Sequence, residues 1–530
     1  MRRAVILTAL VVLAAGSGSV VQTSDRWFGT MLPPAQEPSC AKLTSLALPA
    51  TSITMAQAVA AGGFTPPNST AAAAPPPAQP LAPPFSTLPA FCRVAATLKP
   101  SADSDIEIEV WLPISGWNGK FMGVGNGGFS GSINYGQMRL PLSRGYAVAS
   151  TDTGHQSTGA DASWALGHPE KQIDFGYRAV HEMTVRAKAI VDAFYSAGPR
   201  YSYWNGCSSG GKQGLKEAQR FPDDYDGIIA GAPANFWTHL MAGILWIGNA
   251  VRKDPASAIP PNKYGLIHDA VLAQCDAADG VKDGLLTDPR ACRFDPHVLE
   301  CRGADQPTCL TTAQVQALTK VYAPAKNPRT GEMIYPGLAV GGELGWANLP
   351  QPFSIGETHF KYIVFGDAGW DLRTLDFDRD VAKADAVDAS LGQFNANDPD
   401  LSAFKRRGGK LLQYHGWNDQ QISPENSINY YQSVTVRIGS APDTIDFYRL
   451  FMVPGMRHCQ GGEGAPDQFD TISALEQWVE HGEAPTRIVA SHTTNGVVDR
   501  TRPLCRYPQI ARYTGVGSTD DAVNFACGLP

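Results

Sequence analysis

A serine within a run of glycines is the residue of this sequence best suited to nucleophilic chemistry. Ser208 is the central residue of GCSSG at 206–210, which follows a predicted strand at 200–205 and precedes a predicted helix at 211–220. A G-x-S-x-G motif between a strand and a helix predicts a sharp turn that projects the serine hydroxyl from the sheet. The alternative is a glycine-rich structural turn, but the strand–turn–helix context favours a nucleophile.

A base and an acid are needed beside such a serine, because its hydroxyl is a weak nucleophile until a base removes the proton. In this kind of fold the acid precedes the histidine along the chain. His458 lies in a glycine-rich loop after the apolar run of segment 446–459, and we predict that it is the base. His481 ends a helical pattern and His492 lies in a polar stretch, so the first is interpreted as a solvent-facing helix end and the second as a surface loop residue.

The predicted acid is Asp419, which ends the apolar segment 408–419 and shares a loop with His415. A carboxylate at this point would orient the imidazole and stabilise its cation. Asp467 and Asp470 are alternatives, but they come after the predicted base in the chain.

Alternating strand and helix patterns predict the elements that position these residues. Apolar or alternating runs at 106–113, 120–128 and 145–154 predict strands, and an amphipathic pattern at 176–195 predicts a helix. The alternation indicates a largely parallel sheet. It stops after about residue 236, where an irregular, Asp-rich stretch begins, and it resumes near 408, which predicts one α/β core with a long insertion.

The length and net charge of the chain limit its domain organisation and its classes of partner. With 530 residues, 43% of them hydrophobic, it is long enough for a large core and a second module. A formal net charge of −7 without a densely basic stretch argues against nucleic acid as a partner. Residues 23–91, which include a Pro/Ala-rich stretch at 64–84, predict an N-terminal arm and surface strap.

The N-terminus is typical of a secretion signal. Arg2 and Arg3 precede an apolar stretch that ends at Ala15, and small residues follow it. The stretch is shorter than the about 20 residues that a membrane span needs, which argues against an anchor. We therefore predict a signal peptide over 1–22, no membrane partner, and a secreted or periplasmic protein.

Ten cysteines, an even number, agree with an oxidising compartment and with disulfide pairing. No CxxC pair and no Cys/His cluster at finger spacing occurs, which argues against zinc. Pairing between chain neighbours would give Cys275–Cys292, Cys301–Cys309 and Cys505–Cys527, although connectivity does not follow from sequence alone.

From about residue 90 to its end, the chain resembles the tannase and feruloyl esterase family, which includes hydrolases of mono(2-hydroxyethyl) terephthalate. The resemblance is carried by the pair Cys207-Ser208, the lone Asp419 and the pair His458-Cys459. It implies an α/β-hydrolase fold with a large inserted lid domain. The expected parts are a first core segment at 92–235, a lid at 236–405 and a second core segment at 406–530. It also implies the disulfide Cys207–Cys459, which leaves Cys40 and Cys92 as the remaining pair.

Two backbone N–H groups are expected to stabilise the oxyanion. One belongs to Ser209, the residue after the nucleophile. The resemblance places the other at Gly127 in the loop GVGNGGFSG, with Gly128 close behind. The same loop also matches the dinucleotide pattern GxGxxG through Gly123, Gly125 and Gly128, and a nucleotide-binding loop is the alternative interpretation.

An Asp-rich loop at 275–292 predicts a site for a hard cation. Carboxylate and carbonyl oxygens at short spacing suit Ca²⁺, although the spacing is not that of an EF-hand. The alternative is an Asp/Gly-rich solvated turn. The resemblance implies a structural Ca²⁺ held by side chains of Asp276, Asp279 and Asp283 and by carbonyls of Val281 and Leu285.

The resemblance further implies hydrolysis of esters of phenolic or aromatic acids through an acyl-enzyme. The lid would supply the acid pocket, with candidate lining residues Phe353, Phe360, Tyr362, Phe365, Trp370 and Phe377. A terephthalate monoester has a free carboxylate that would need an arginine partner, and segment 345–366 contains no arginine, which favours hydroxycinnamate or gallate esters. A calcium- or carbohydrate-binding protein on the same fold is the non-enzymatic alternative.

Overall fold

The structure is a computed structural model and describes residues 39–67, 82–346 and 354–530. The predicted signal peptide, much of the predicted strap and Phe353 lie outside these ranges. The strands of the described part are, in chain order, β1 Thr51–Val59, β2 Phe91–Leu98, β3 Ile106–Pro113, β4 Lys120–Val124, β5 Ala147–Thr151, β6 Tyr201–Cys207, β7 Gly227–Gly231, β8 Ala325–Lys326, β9 Met333–Tyr335, β10 Lys410–Gly416, β11 Tyr448–Val453, β12 Arg487–Thr494, β13 Val497–Cys505, β14 Ile510–Tyr513 and β15 Phe525–Gly528.

The α-helices of the same ranges differ widely in length, from 5 residues in α2 to 17 in α3. They are α1 Tyr135–Ser143, α2 Pro169–Ile173, α3 Ala179–Tyr195, α4 Ser209–Arg220, α5 Trp237–Arg252, α6 Tyr264–Cys275, α7 Thr312–Tyr322, α8 Ser354–Thr358, α9 Arg379–Ser390, α10 Ser402–Arg406, α11 Pro424–Ile438, α12 Ala441–Ile445 and α13 Thr471–His481. None of the helices in the described ranges is both long and apolar enough to cross a bilayer.

A nine-stranded sheet in the order β1-β2-β3-β5-β4-β6-β7-β10-β11 forms the centre of the fold. The strands from β5 to β11 in this order run parallel, whereas β1, β2 and β3 add an antiparallel edge. Because β6, β7, β10 and β11 are parallel neighbours, their carboxyl ends lie along the same edge of the sheet. In α/β sheets of this kind, ligands bind beyond that edge.

Side chains alternate between the two faces of the sheet, and each face is covered by helices. In β5, Ala147 and Ala149 belong to the apolar cluster that includes α3 and α11, while Val148 belongs to the cluster that includes α1 and α13. All five residues of β5 and of β7 are buried, as expected for strands covered on both faces. This double packing fixes the strand ends from which the site loops depart.

The predicted insertion corresponds to the elements between β7 and β10, namely α5 to α10 and the short hairpin β8–β9. Its apolar cluster includes Trp237 and Leu240 from the insertion together with two core residues, Phe129 from the glycine loop and Phe175 from the π-helical turn before α3. The insertion therefore packs directly on loops of the core, and residues 39–530 form one compact unit. Its division from the core at 236 and 405, and its role as a lid, remain predictions.

The predicted strands and helices of the core are present, with shifted ends. The helix predicted over 176–195 is α-helical only from Ala179, because a π-helical turn at Asp174–Arg178 precedes it. His481 ends α13 and is exposed, as predicted. The interpretation of His492 as a loop residue is wrong: it lies in β12, which pairs with β13. Around His492, the residues of β12 are polar and at least partly exposed. This part of the strand therefore lacks the apolar alternation by which strands are recognised.

Five disulfides join all ten cysteines. The three pairs expected between chain neighbours are confirmed, and so are the two implied by the family resemblance: Cys275–Cys292, Cys301–Cys309, Cys505–Cys527, Cys207–Cys459 and Cys40–Cys92.

Candidate active site

Ser208 lies on the sharp turn between β6 and α4, and its backbone has φ 64° and ψ −124°. A positive φ is uncommon for a residue with a side chain, and such strain is concentrated at functional turns. The turn is possible because its neighbours lack side chains. A Cβ on Gly206 would lie 2.6 Å from the carbonyl carbon of Gly210, and one on Gly211 would lie 2.4 Å from the Gly231 oxygen. The sequence of the motif therefore encodes the exposed serine geometry.

His458 and Asp419 form a buried acid–base pair on the loops that follow β11 and β10. His458 Nδ1 is 2.7 Å from Asp419 Oδ2, and the two residues are 5% and 2% exposed. The backbone N–H of His458 also donates to Gln420 Oε1 at 3.2 Å, which fixes the loop against its neighbour. With Nδ1 bound to the carboxylate, Nε2 is the ring nitrogen left to accept a proton.

The Asp419 carboxylate accepts hydrogen bonds on both oxygens. Oδ1 accepts from the backbone N–H groups of Gln421 and Ile422, at 2.8 and 2.9 Å. Oδ2 lies near two imidazoles, those of His458 and His415. Burial opposes ionisation of this group, but the charge and hydrogen bonds of the two histidines outweigh it and hold the pKa of Asp419 far below its usual range. The group is therefore an anion able to stabilise an imidazolium.

The Cys207–Cys459 disulfide connects the serine turn to the histidine loop, with Cα atoms 6.0 Å apart. Each cysteine is the chain neighbour of a predicted catalytic residue, and Cys459 has a positive φ of 67°. The bridge therefore joins the loop of Ser208 to the loop of His458 although they are far apart in the chain. In the described ranges no hydrogen bond joins the Ser208 hydroxyl to His458, and such bonds are often long until substrate binds.

One backbone N–H group of the serine turn and one of the glycine loop are unpaired. Within the described part of the chain, neither the Ser209 nor the Gly127 N–H has an acceptor. The Ser209 hydroxyl donates to the Gly128 carbonyl at 2.6 Å, and the Gly210 N–H donates to the Asn126 carbonyl at 2.8 Å, so the glycine loop is fixed against the start of α4. Unpaired donors at a helix N-terminus favour a developing negative charge.

The glycine loop itself requires glycine at residue 128. Gly128 has φ +54°, and a Cβ there would lie 2.1 Å from the Gly159 carbonyl oxygen. The helix that follows, α1, begins only at Tyr135, whereas a dinucleotide fingerprint opens a helix directly. The loop geometry therefore fits an oxyanion-binding loop better than a nucleotide-binding loop.

Lys212, one turn after Ser208 in α4, has a fully buried side-chain amine. Its Nζ lies 4.0 Å from the centre of the Phe175 ring and 4.7 Å from that of Trp237. Burial lowers the pKa of Lys212 to about 7. The aromatic faces stabilise its positive charge within the protein.

The aromatic residues predicted to line an acid pocket differ in exposure. Phe360 is fully buried among apolar side chains and packs against Trp370, with ring centres 5.8 Å apart. Trp370 also stacks on Phe365 at 5.1 Å. Tyr362, Phe365, Trp370 and Phe377 keep part of their surface accessible. Of the predicted lining residues that the structure describes, only Phe360 is therefore fully buried.

The Asp-rich loop is closed by the Cys275–Cys292 disulfide, and its carboxylates contact backbone N–H groups. Asp276 is buried and lies 3.1 Å from the N–H of Gly284. Asp283 forms an ion pair with Arg502. Among the described residues, the carboxylates of Asp276, Asp279 and Asp283 do not all lie within 4.8 Å of one another. The loop offers the oxygen ligands that a hard cation prefers. Its own hydrogen bonds already hold it together.

Three of the predicted site features meet at the sheet edge: the serine turn, the acid–base pair and the glycine loop. Sequence reasoning gave no role to His415, which lies on β10 rather than in the loop and contacts Asp419. It also missed Gln420, the acceptor for the His458 N–H. The four-residue spacing between His415 and Asp419 is the only sequence signal for the contact of His415. Nothing in the sequence indicates the role of Gln420.

Comparison with known proteins agrees with this arrangement. The family described as tannase and feruloyl esterase matches residues 92–528. An uncharacterized esterase of Xanthomonas campestris is 42% identical over 92% of this chain and 91% of its own. A probable feruloyl esterase B-1 of Neosartorya fischeri is 36% identical over 82% of this chain and 86% of its own.

The chain belongs to the tannase and feruloyl esterase family.

Solved structures lead to the same fold. Feruloyl esterase B from Aspergillus oryzae superposes with a TM-score of 0.84, is 31% identical, and matches 92% of this chain and 100% of its own. Tannin acyl hydrolase from Aspergillus niger, at 23% identity and a TM-score of 0.75, shares the fold. This member of the family is thus an α/β-hydrolase and a carboxylic ester hydrolase of the feruloyl esterase and tannase type.

Proposed function

We propose that this esterase hydrolyses esters of phenolic acids through a Ser208–His458–Asp419 triad. The observation that carries the proposal is the buried His458–Asp419 pair, joined to the serine turn by the Cys207–Cys459 disulfide.

The proposed reaction begins when His458 Nε2 accepts the proton of Ser208 Oγ as that oxygen attacks the ester carbonyl. The carbonyl oxygen becomes an oxyanion, which the N–H groups of Ser209 and Gly127 stabilise. His458 then donates its proton to the departing alcohol, and the acid remains attached to Ser208. Water, deprotonated by the same imidazole, attacks the acyl-enzyme and releases the acid. Asp419 stabilises the imidazolium in both halves.

The acid half of the substrate is proposed to be a hydroxycinnamate or a gallate rather than a terephthalate monoester. A free carboxylate on the acid ring would require a cation, and burying it unpaired is costly. Segment 345–366 has no arginine, and its single lysine, Lys361, is paired with Glu357 at 3.6 Å.

The kcat/KM for methyl ferulate or methyl gallate is therefore expected to exceed that for mono(2-hydroxyethyl) terephthalate by about tenfold or more. Steady-state hydrolysis of the three esters by the same preparation measures this directly. A higher kcat/KM for the terephthalate monoester would favour that substrate class instead and would contradict the assignment.

We also propose that the protein is exported. Five disulfides support an oxidising compartment, since they are rare where thiols are kept reduced. The predicted signal segment lies outside the described residues.

The Asp-rich loop is proposed to bind a structural Ca²⁺ through Asp276, Asp279 and Asp283 side chains and the carbonyls of Val281 and Leu285. When bound, the ion would neutralise the clustered carboxylates and stabilise the loop, with no part in the ester reaction. Carboxylate and carbonyl oxygens are the ligands that Ca²⁺ prefers.

Chelation is then expected to lower Tm by a few degrees, since an ion at 100 times its Kd contributes about 2.7 kcal/mol. Differential scanning calorimetry with and without a chelator measures the shift, and Asp279→Asn is expected to abolish it. If the wild-type Tm is the same in chelator and in excess Ca²⁺, the proposed site is wrong.

A further inference from the structure

His415 is a second imidazole on the carboxylate that orients His458. It lies at the end of β10, is fully buried, and its Nε2 is 3.1 Å from Asp419 Oδ2. His458 Nδ1 approaches the same oxygen at 2.7 Å. The two histidines therefore share one acceptor atom, although only His458 belongs to the triad described above.

The hydrogen-bond partners of His415 place a hydrogen on its Nε2 atom. Nε2 is also 3.1 Å from the carbonyl oxygen of Ile422, and a carbonyl can only accept, so Nε2 must carry a hydrogen. Nδ1 is 2.7 Å from Ser427 Oγ in α11. When the ring carries its hydrogen on Nε2 alone, the Ser427 hydroxyl can donate to Nδ1. His415 thus presents an Nε2–H donor to Asp419.

We propose that His415 is a positioning residue for the ester reaction, holding Asp419 Oδ2 in line with His458 Nδ1 and sharing part of its charge. The inference rests on the proposed triad. By donating to Oδ2, His415 prevents the carboxylate from rotating away from His458 and limits how strongly it attracts the His458 proton. Ser427 supports this role, because its donation to Nδ1 keeps the His415 proton on Nε2.

Other ionisable groups near the acid–base pair do not duplicate this function. Tyr335 approaches Asp419 from β9, and burial together with the Asp419 charge raises the pKa of its phenol well above the ordinary value, so it stays neutral. Arg457 and Glu463, on the histidine loop, pair with each other.

Two buried polar variants separate the proposed role from simple packing. In His415→Gln the amide nitrogen reaches about as far as Nε2 and can still donate to Asp419, whereas the shorter side chain of His415→Asn reaches only about as far as Nδ1. We expect His415→Asn to lose about 10- to 100-fold in kcat with little change in KM, the range for a hydrogen bond to a charged group.

The pH profile of kcat/KM gives the decisive readout. Without the donor, Asp419 should hold the His458 proton more tightly, so the acid limb of the profile should move up by about half to one pH unit in His415→Asn. His415→Gln should recover most of the rate and the wild-type limb. Equal rates and equal acid limbs in the two variants would overturn the proposal.

A second measurement needs no variant to be active. Nitrogen NMR of isotope-labelled histidines, with His415 assigned by its absence from His415→Gln, should show a hydrogen on Nε2 of His415. A ring with a bare Nε2 and its hydrogen on Nδ1 would overturn the proposal. Loss of activity in Ser208→Ala tests the triad separately, so failure of one idea does not imply failure of the other.

Discussion

Replacing Ser208 with alanine is expected to lower kcat for methyl ferulate by about 10⁴- to 10⁶-fold, the loss seen when a serine nucleophile is removed. The hydroxyl supplies the atom that forms the acyl-enzyme, and no described neighbour can take its place at the strained turn. Binding of the acid ring does not depend on this oxygen, so the Kd for a non-hydrolysable ferulate analogue should change little. Steady-state kinetics and calorimetric titration provide the two values.

The fold of the Ser208→Ala variant should be intact, because residue 208 keeps a Cβ of the same kind and the turn is set by the glycines around it. A matched control is Ser209→Ala, which removes a neighbouring hydroxyl but keeps the proposed oxyanion N–H. It should lose far less activity. Comparable kcat values for Ser208→Ala and wild type would contradict the proposed mechanism.

Removing the Cys207–Cys459 disulfide by Cys207→Ala with Cys459→Ala is expected to have the second-largest effect. The bridge closes 252 residues, and the chain-entropy model gives about 5 kcal/mol for a loop of that length. The serine turn and the histidine loop would also lose their link, and a misplacement of about 1 Å between reacting groups can cost about 100-fold in rate. Denaturant unfolding and kcat report the two effects.

The matched control is removal of Cys301–Cys309, which closes only 8 residues far along the chain from the triad. The same entropy model gives it about half the stabilisation, and kcat should not change. If the two double variants have the same kcat, the bridge beside the triad does not organise the site.

Local chemistry explains why the serine turn could be predicted from sequence. The motif at 206–210 contains both the nucleophile and the glycines that its geometry requires, so no distant contact is needed to recognise it. Asp419 and His458 followed from their order after successive strands. The disulfides Cys275–Cys292 and Cys301–Cys309 followed from short separations, whereas Cys207–Cys459 depended on the family resemblance because 252 residues separate its ends.

Other features depend on contacts that the sequence pattern does not contain. His415 meets Asp419 only because β10 ends where the loop turns back over it, and its partner Ser427 comes from a different element. His492 lies in the second half of β12, where every residue is at least partly exposed and no buried face imposes an alternation. In the insertion, an irregular, Asp-rich sequence concealed the helices α5 to α10. Two of them, α5 and α9, share an apolar cluster with Phe129 of the core, a contact that the sequence pattern does not contain.

The central claim, that Ser208 is activated by His458 and forms a covalent intermediate, is tested most directly by a fluorophosphonate probe followed by peptide mass mapping. Wild-type protein should gain one adduct, on the peptide that contains Ser208, and Ser208→Ala should gain none. An unlabelled but active wild-type enzyme, or an adduct on any other residue, would contradict the account.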